Sequence, residues 1–457
     1  MREKIAGIVN QIPDYKVFLT VDELNESSFR LAKDHPDVVE TFEFGKTRSG
    51  DTIWGLKIGT GSKNALVFGL PHPNEPVGTM TIEFLSKLLA EDAEIRDQLD
   101  YTWYFVKAWD ADGARLNENW FKGPFSLYNY ARNFFRPAGH QQVDWTFPID
   151  YKDLHFHSTI PETKAMMDLI DRIQPSFIYS LHNAGFGGVY WYLTGDIPEV
   201  YPAMKEAALK NNVPLHLGEP EAPFCKPFAP AVYKELGIRD EYDYLLQYGV
   251  EHPEEEIKVG TCSADYAHEK YGTFTMLTEL PYFFNEAIVD LSLSDRKRGE
   301  LFLEMMDYKE EQEKYITDNL KLIEESLSED NPFLLALKAF TGNEKQDEAA
   351  RKMAKEDPDY QRLGTKAEEF DSLWISKFYQ LLTLGLLLRS GEWEIENRSP
   401  ENDQLLRKVS EDAEKRLREK ADYLNANFTT TVVDIKRLVA IQTECGLLVA
   451  DYLSKTK

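Results

Sequence analysis

Short apolar runs bounded by Gly, Pro and Asn recur through the first 290 residues. Ala65–Leu70 (ALVFGL), Tyr101–Ala108 (YTWYFVKA), Ser176–Leu181 (SFIYSL), Val189–Leu193 (VYWYL) and Thr273–Leu280 (TFTMLTEL) read as strands. Between them, apolar residues at three-to-four spacing predict helices over Thr79–Ala90 and Glu162–Ile173. Strands alternating with helices predict an α/β domain with a largely parallel sheet. In such sheets functional residues collect just beyond the carboxyl ends of the strands.

The pattern changes near residue 290 and turns helical. Leu301, Met305, Tyr308, Tyr315 and Ile323 form one stripe, and Leu406, Val409, Ala413, Leu417, Ala421 and Leu424 form another. A third runs through Ile435, Leu438, Gln442, Cys445 and Val449. These predict a helical bundle or cap, and a division into residues 1–290 and 291–457.

Composition narrows the choice of partners. Lys plus Arg number 52 against 78 Asp plus Glu, a net charge of −26. That field disfavours nucleic acid and anionic membranes, which need a positive surface. Three cysteines in 457 residues cannot form a disulfide framework. The opening MREKIAGIVNQIPDYK lacks the apolar run of a signal peptide. The most apolar stretch, Phe378–Leu388, falls short of the roughly 20 residues of a membrane span. The expectation is a soluble, cytoplasmic protein. The sequence leaves its oligomeric state open.

Chemistry enters with histidine followed three residues later by an acid, a spacing that lets both side chains reach one metal. With 9 His in the chain, chance supplies roughly one or two such pairs. There are three, His72/Glu75, His216/Glu219 and His252/Glu255, so context must choose. His72 and Glu75 lie in GLPHPNEPVG, a turn from a strand into a helix bracketed by Gly69 and Gly78. His216 has no following helix, and His252 sits in the acidic loop HPEEE, so both read as structural or surface residues. A catalytic zinc takes three protein ligands, and His182 in SLHNAGFGG follows a strand in the position a third requires. Glu279, at the end of an apolar strand, suits a general base that activates water.

Arg115, Arg132 and Arg136 stand out among few cations as candidate carboxylate holders. His155 and His157 (HFH) read as structural or surface residues, with no carboxylate placed to complete a ligand set. No Gly-rich phosphate loop, Gly-x-Ser-x-Gly elbow or Cys-x-x-Cys pair is present.

From Tyr15 to Phe284 the ordered motifs FGKTRSGDTIWGLKIG, PHPNEPVG, ADGARLNENW, YARNFF, SLHNAGFGG and SADYAHEKYGTFTMLTEL resemble the zinc carboxypeptidase family. The resemblance implies a three-layer α/β/α sandwich with a mixed, mostly parallel sheet, followed here by the all-α C-terminal domain. It implies one zinc ion per chain on His72, Glu75 and His182, with Glu279 as general base toward a zinc-activated water. It implies a substrate-carboxylate site at Arg132 and Asn133, although Ala131 replaces the family's Asn. It places the carbonyl-polarising arginine at Arg115, and Asn129 where the family has an Asp behind a zinc histidine. Ala264 would line the specificity pocket, and Tyr248 is one candidate for the family's substrate-site tyrosine. The implied activity is release of the C-terminal residue of a peptide. A deacylase or amidase acting on acyl-amino acids or cell-wall-type peptides is the alternative, and a metal-free binding protein is the reading from another class.

Overall fold

The computed structural model describes residues 2–398 and 404–455. Nine strands form the main sheet: β1 (Val39–Lys46), β2 (Thr52–Ile58), β3 (Lys63–Phe68), β4 (Tyr101–Val106), β5 (Phe177–Leu181), β6 (Tyr190–Leu193), β7 (Pro227–Ala229), β8 (Val232–Lys234) and β9 (Phe274–Glu279). Their order across the sheet is β1-β2-β4-β3-β5-β9-β6-β8-β7. The central four, β4, β3, β5 and β9, run parallel. The flanks are antiparallel apart from the β6–β8 pair. The expected parallel character therefore belongs to the centre of the sheet.

Both faces of the centre are covered. Along β3, Ala65 and Val67 enter one core while Leu66 and Phe68 enter the other. A strand buried on both faces must be apolar at every position, which is why ALVFGL shows no alternation. Helix α1 (Val77–Glu91) covers the first face, and α2 (Pro161–Ile173) covers the second through Met166, Leu169, Ile170 and Ile173. Helix α3 (Tyr201–Lys210) joins α1 on the first face.

The second half is helical, led by α4 (Arg298–Ile323), α5 (Ser376–Arg398), α6 (Gln404–Asn427) and α7 (Ile435–Lys455). Helix α5 crosses the Leu127–Asn133 helix so closely that a Cβ at Gly385 would lie 1.9 Å from the Ala131 carbonyl oxygen. Arg389 of α5 donates to the carbonyls of Leu116, Asn133 and Phe134. Helix α7 does not stay with the other helices. It packs against α1 and α3, and its Gln442 accepts from Thr81 and donates to the carbonyl of His182. Helices α4, α5 and α6 pack against one another as a helical unit, while α7 completes the layer over the sheet. The stripe through Gln442 and Cys445 predicts the helix but carries no information about which partner buries it.

Candidate metal centre

The three neighbouring parallel strands β3, β5 and β9 end at one edge of the sheet, and each delivers a functional side chain there. Beyond β3 the chain turns through Leu70, at φ 53°, and reaches His72 and Glu75 before α1 begins. His182 follows β5 directly, and Glu279 is the last residue of β9. Gly78 makes the junction possible. A Cβ there would lie 2.5 Å from the Cβ of Leu181, so only glycine lets α1 approach the end of β5 this closely. Asn183 ties the three strand ends together. Its side chain accepts from Val77 N and donates to the Leu280 carbonyl, while its backbone N–H donates to Glu75.

The cluster is compact and buried. His72 Nδ1 lies 3.0 Å from Glu75 Oε1, and His182 Nδ1 lies 3.0 Å from Glu75 Oε2. One ligand atom from each of His72, Glu75 and His182 falls within 4.8 Å of the others. Glu279 Oε1 stands 3.6 Å from His182 Nδ1. That nitrogen is buried, and its 3.0 Å contact with Glu75 lacks hydrogen-bond geometry, an unfavourable state for a polar atom unless a further partner fills the space. Two imidazoles and one carboxylate are a donor set that suits zinc, and the orphaned nitrogen fits a metal ligand. His182 Nε2 is held by the Ser180 hydroxyl at 2.8 Å, and His72 Nε2 accepts from Arg136 at 2.7 Å. Such outer contacts fix ring orientation.

Electrostatics follow from burial and crowding. Burial, together with the Arg136 guanidinium, pushes His72 down to about 3. Burial acts in the same downward direction on His182, yet the carboxylates of Glu75, Glu279 and Asp144 overcome it and push the ring up to about 9. Burial would raise Glu75, but the two histidines hold it below the usual carboxylate range. Burial drives Glu279 well above that range. Two carboxylates this close, with one imidazole drawn toward protonation, form a site short of positive charge.

The cluster opens into a cavity of about 570 Å³. One wall is α/β residues such as Tyr190, Glu221 and Tyr233; the other is helical-unit residues such as Met305, Lys309 and Tyr379. Its acids are mostly neutralised: Glu219 pairs with Arg298, Asp371 with His216, and Glu313 with Lys309.

The structure distributes the other sequence candidates differently from expectation. Arg115 lies on a surface helix, where Asp22 at 2.8 Å and Asp51 at 3.3 Å capture it. Arg132 is taken by Glu392 of α5 at 2.6 Å and Glu414 of α6 at 2.9 Å. Asn133 bonds back to Asn129 within its own helix, and Asn129 reaches Pro124 rather than a metal histidine. None of these lines the cavity; Arg136 does. Tyr248 bonds Asp357 in a separate core, and Ala264 is buried away from the cavity. His216 shares the cavity, held by Asp371 and the Glu219 carbonyl. His252 is exposed beside Glu254. Asp150, opposite His155 on an exposed hairpin, contacts both His155 and His157. Asn183 and Ser180 escaped the sequence reading, although the SLHN order places both beside His182.

A buried His–Glu–His set with an adjacent carboxylate, at the carboxyl edge of parallel strands, defines a metallohydrolase-type centre. The family model described as zinc carboxypeptidase matches residues 25–281, more than half the chain, and the protein belongs to that family. Zinc carboxypeptidase A 1 of Anopheles gambiae is 29% identical over 126 residues, covering 24% of this chain and 29% of that protein. The matched part thus spans less than a third of that relative. Among solved structures, carboxypeptidase A from Helicoverpa armigera is similar at 16% identity and a TM-score of 0.39, covering 62% of this chain and 71% of that one. A metallo-carboxypeptidase from Burkholderia cenocepacia is similar at 16% identity and a TM-score of 0.35, covering 57% and 60%. Among the described residues no helix is long and apolar enough to cross a membrane.

Proposed function

We propose that the protein is a zinc-dependent carboxypeptidase that removes the C-terminal residue of short peptides. The observation that carries this reading is the placement of Glu279 beside the His72–Glu75–His182 set, within a cavity that also holds Arg136. His72 Nδ1, a Glu75 oxygen and His182 Nδ1 would hold one ion per chain. When bound, zinc supplies a Lewis acid that acidifies water and polarises a carbonyl.

The remaining chemistry belongs to the chain. Glu279 takes a proton from the attacking water and returns it to the leaving amine nitrogen, so the amide C–N bond breaks to an acid and an amine. Arg136 supplies the positive charge. Its guanidinium stands at the cavity wall, 2.7 Å from His72 Nε2 and 3.6 Å from Glu75 Oε1. A planar fork of donors in this place suits a substrate carboxylate.

One observation favours a second reading. The expected carboxylate anchor Arg132 is bound by Glu392 and Glu414, outside the cavity. A deacylase or amidase whose substrate carries no free carboxylate beside the scissile amide needs no such anchor. A substrate panel separates the two: a carboxypeptidase cleaves unmodified tripeptides with a free C-terminus, whereas the deacylase or amidase ignores them and cleaves acylated substrates that lack that carboxylate.

A further inference from the structure

A second cavity of about 400 Å³ lies in the helical unit, between α4, α5 and α6. Its wall carries Lys377, Arg416 and Lys420, with Glu419 as its one carboxylate. Acids outnumber bases 78 to 52 in this chain, so three cations with one acid run against the composition. Several shielded cations elsewhere pair closely with acids: Lys107 with Glu83 at 2.6 Å, Arg298 with Glu219 at 2.5 Å, and Arg132 with two glutamates.

Here they do not. Among the described residues Lys377 has no hydrogen-bond or ion-pair partner. Its Nζ sits 4.7 Å from the Trp374 ring centroid and 5.3 Å from that of Tyr308. Lys420 Nζ lies 5.0 Å from the same Tyr308 ring and donates to its hydroxyl at 3.0 Å. Arg416 stacks over Tyr315 and donates to Gln312, and its Nε is buried without a partner. The acids nearby are exposed or engaged: Glu311 is 3.9 Å from Arg416, Glu304 pairs with Arg296, and Glu419 lies 3.9 Å from Lys415. Like charges held together in a partly desolvated pocket repel, and burial with the Arg416 and Lys377 charges pushes Lys420 down to about 8. An oxyanion is the group that removes this repulsion and satisfies the donors. The rest of the lining, Tyr308, Leu381, Tyr423 and Leu424, offers apolar surface for a carbon skeleton.

We propose that this cavity binds a small organic dianion, a phosphate monoester or a dicarboxylate, with its oxygens on Lys377, Arg416 and Lys420 and its body against Tyr308, Leu381 and Tyr423. The site is independent of the metal centre. Titration calorimetry on the full-length, zinc-loaded protein with phenyl phosphate and with succinate, at matched ionic strength, tests it. At least one of the two binds saturably at 1:1 stoichiometry, and which one identifies the head group. Lys377→Gln and Lys420→Gln each weaken that binding by about tenfold or more, with thermal stability retained. Acylation mapping by mass spectrometry on the unmutated protein gives a readout free of folding effects, because the bound anion protects Lys420 and Lys377 together. Absence of saturable binding by both anions overturns the proposal. So does binding that the folded lysine variants leave unchanged, or that leaves both lysines unprotected.

Discussion

Glu279 is the residue on which turnover depends most directly in this account. Glu279→Gln keeps the shape of the strand end but cannot accept a proton, and turnover should fall by about 10²–10⁴-fold with metal content unchanged. Full turnover by the zinc-loaded variant counts against the assignment. Asp110 offers a test on stability instead. It caps the Ala111–Arg115 helix by accepting from Gly113 N, while its other oxygen is buried without a partner. Burial pushes it up to about 7. A folded-state value above the unfolded one means that its contribution is full below about pH 4 and is lost as pH rises through 7. Asp110→Asn keeps an acceptor and cannot ionise, so it should remove part of the decline in Tm between pH 5 and 8, about 1–2 kcal/mol or a few degrees. An identical decline in the variant contradicts this. The same contrast explains what the sequence discloses at this scale. His72, Glu75, His182 and Glu279 are legible because each stands at a strand end. Arg115, Arg132 and Arg136 share one short polar segment, and only the fold sorts them, through acids as distant as Asp22 and Glu392.

Strands buried on both faces announce themselves, and β3, β5 and β9 are readable as apolar runs within a residue or two of their ends. Strands β1 and β2 interrupt their apolar residues with charged ones, as in VETFEFGK, and the very short β7 and β8 have too few residues to show a period. Pairing of elements is harder still. Gly78 reads only as turn permissiveness, yet the fold uses it to bring α1 within contact of β5. Gly78→Ala forces a Cβ to 2.5 Å from that of Leu181, and so must part the elements that carry Glu75 and His182. The expected result is a loss of about 1–3 kcal/mol in stability and of about tenfold or more in zinc affinity, read by competition with a chromogenic chelator. Unchanged affinity would mean that the helix–strand contact does not set the geometry of the donor atoms.

Across the whole molecule, helices from both sides of residue 290 pack over the sheet. Helix α7 returns to the sheet layer, and its Gln442 supports both Thr81 and the backbone of His182. A chain truncated after residue 290 should therefore lose its cooperative thermal transition, and a native circular dichroism spectrum with a sharp melt would contradict that. The helical unit between them walls the cavity with α4 and α5, so short peptides should be better substrates than long ones. The central claim is that this centre cleaves the amide bond next to a free carboxylate. The most direct test is release of the C-terminal residue from a mixed library of short peptides, free-acid against amidated, with and without a chelator. The account predicts release from the free acids, abolished by chelator and restored by zinc, with amidated peptides left intact. Equal cleavage of both forms, or no cleavage of either by zinc-loaded protein, would contradict it.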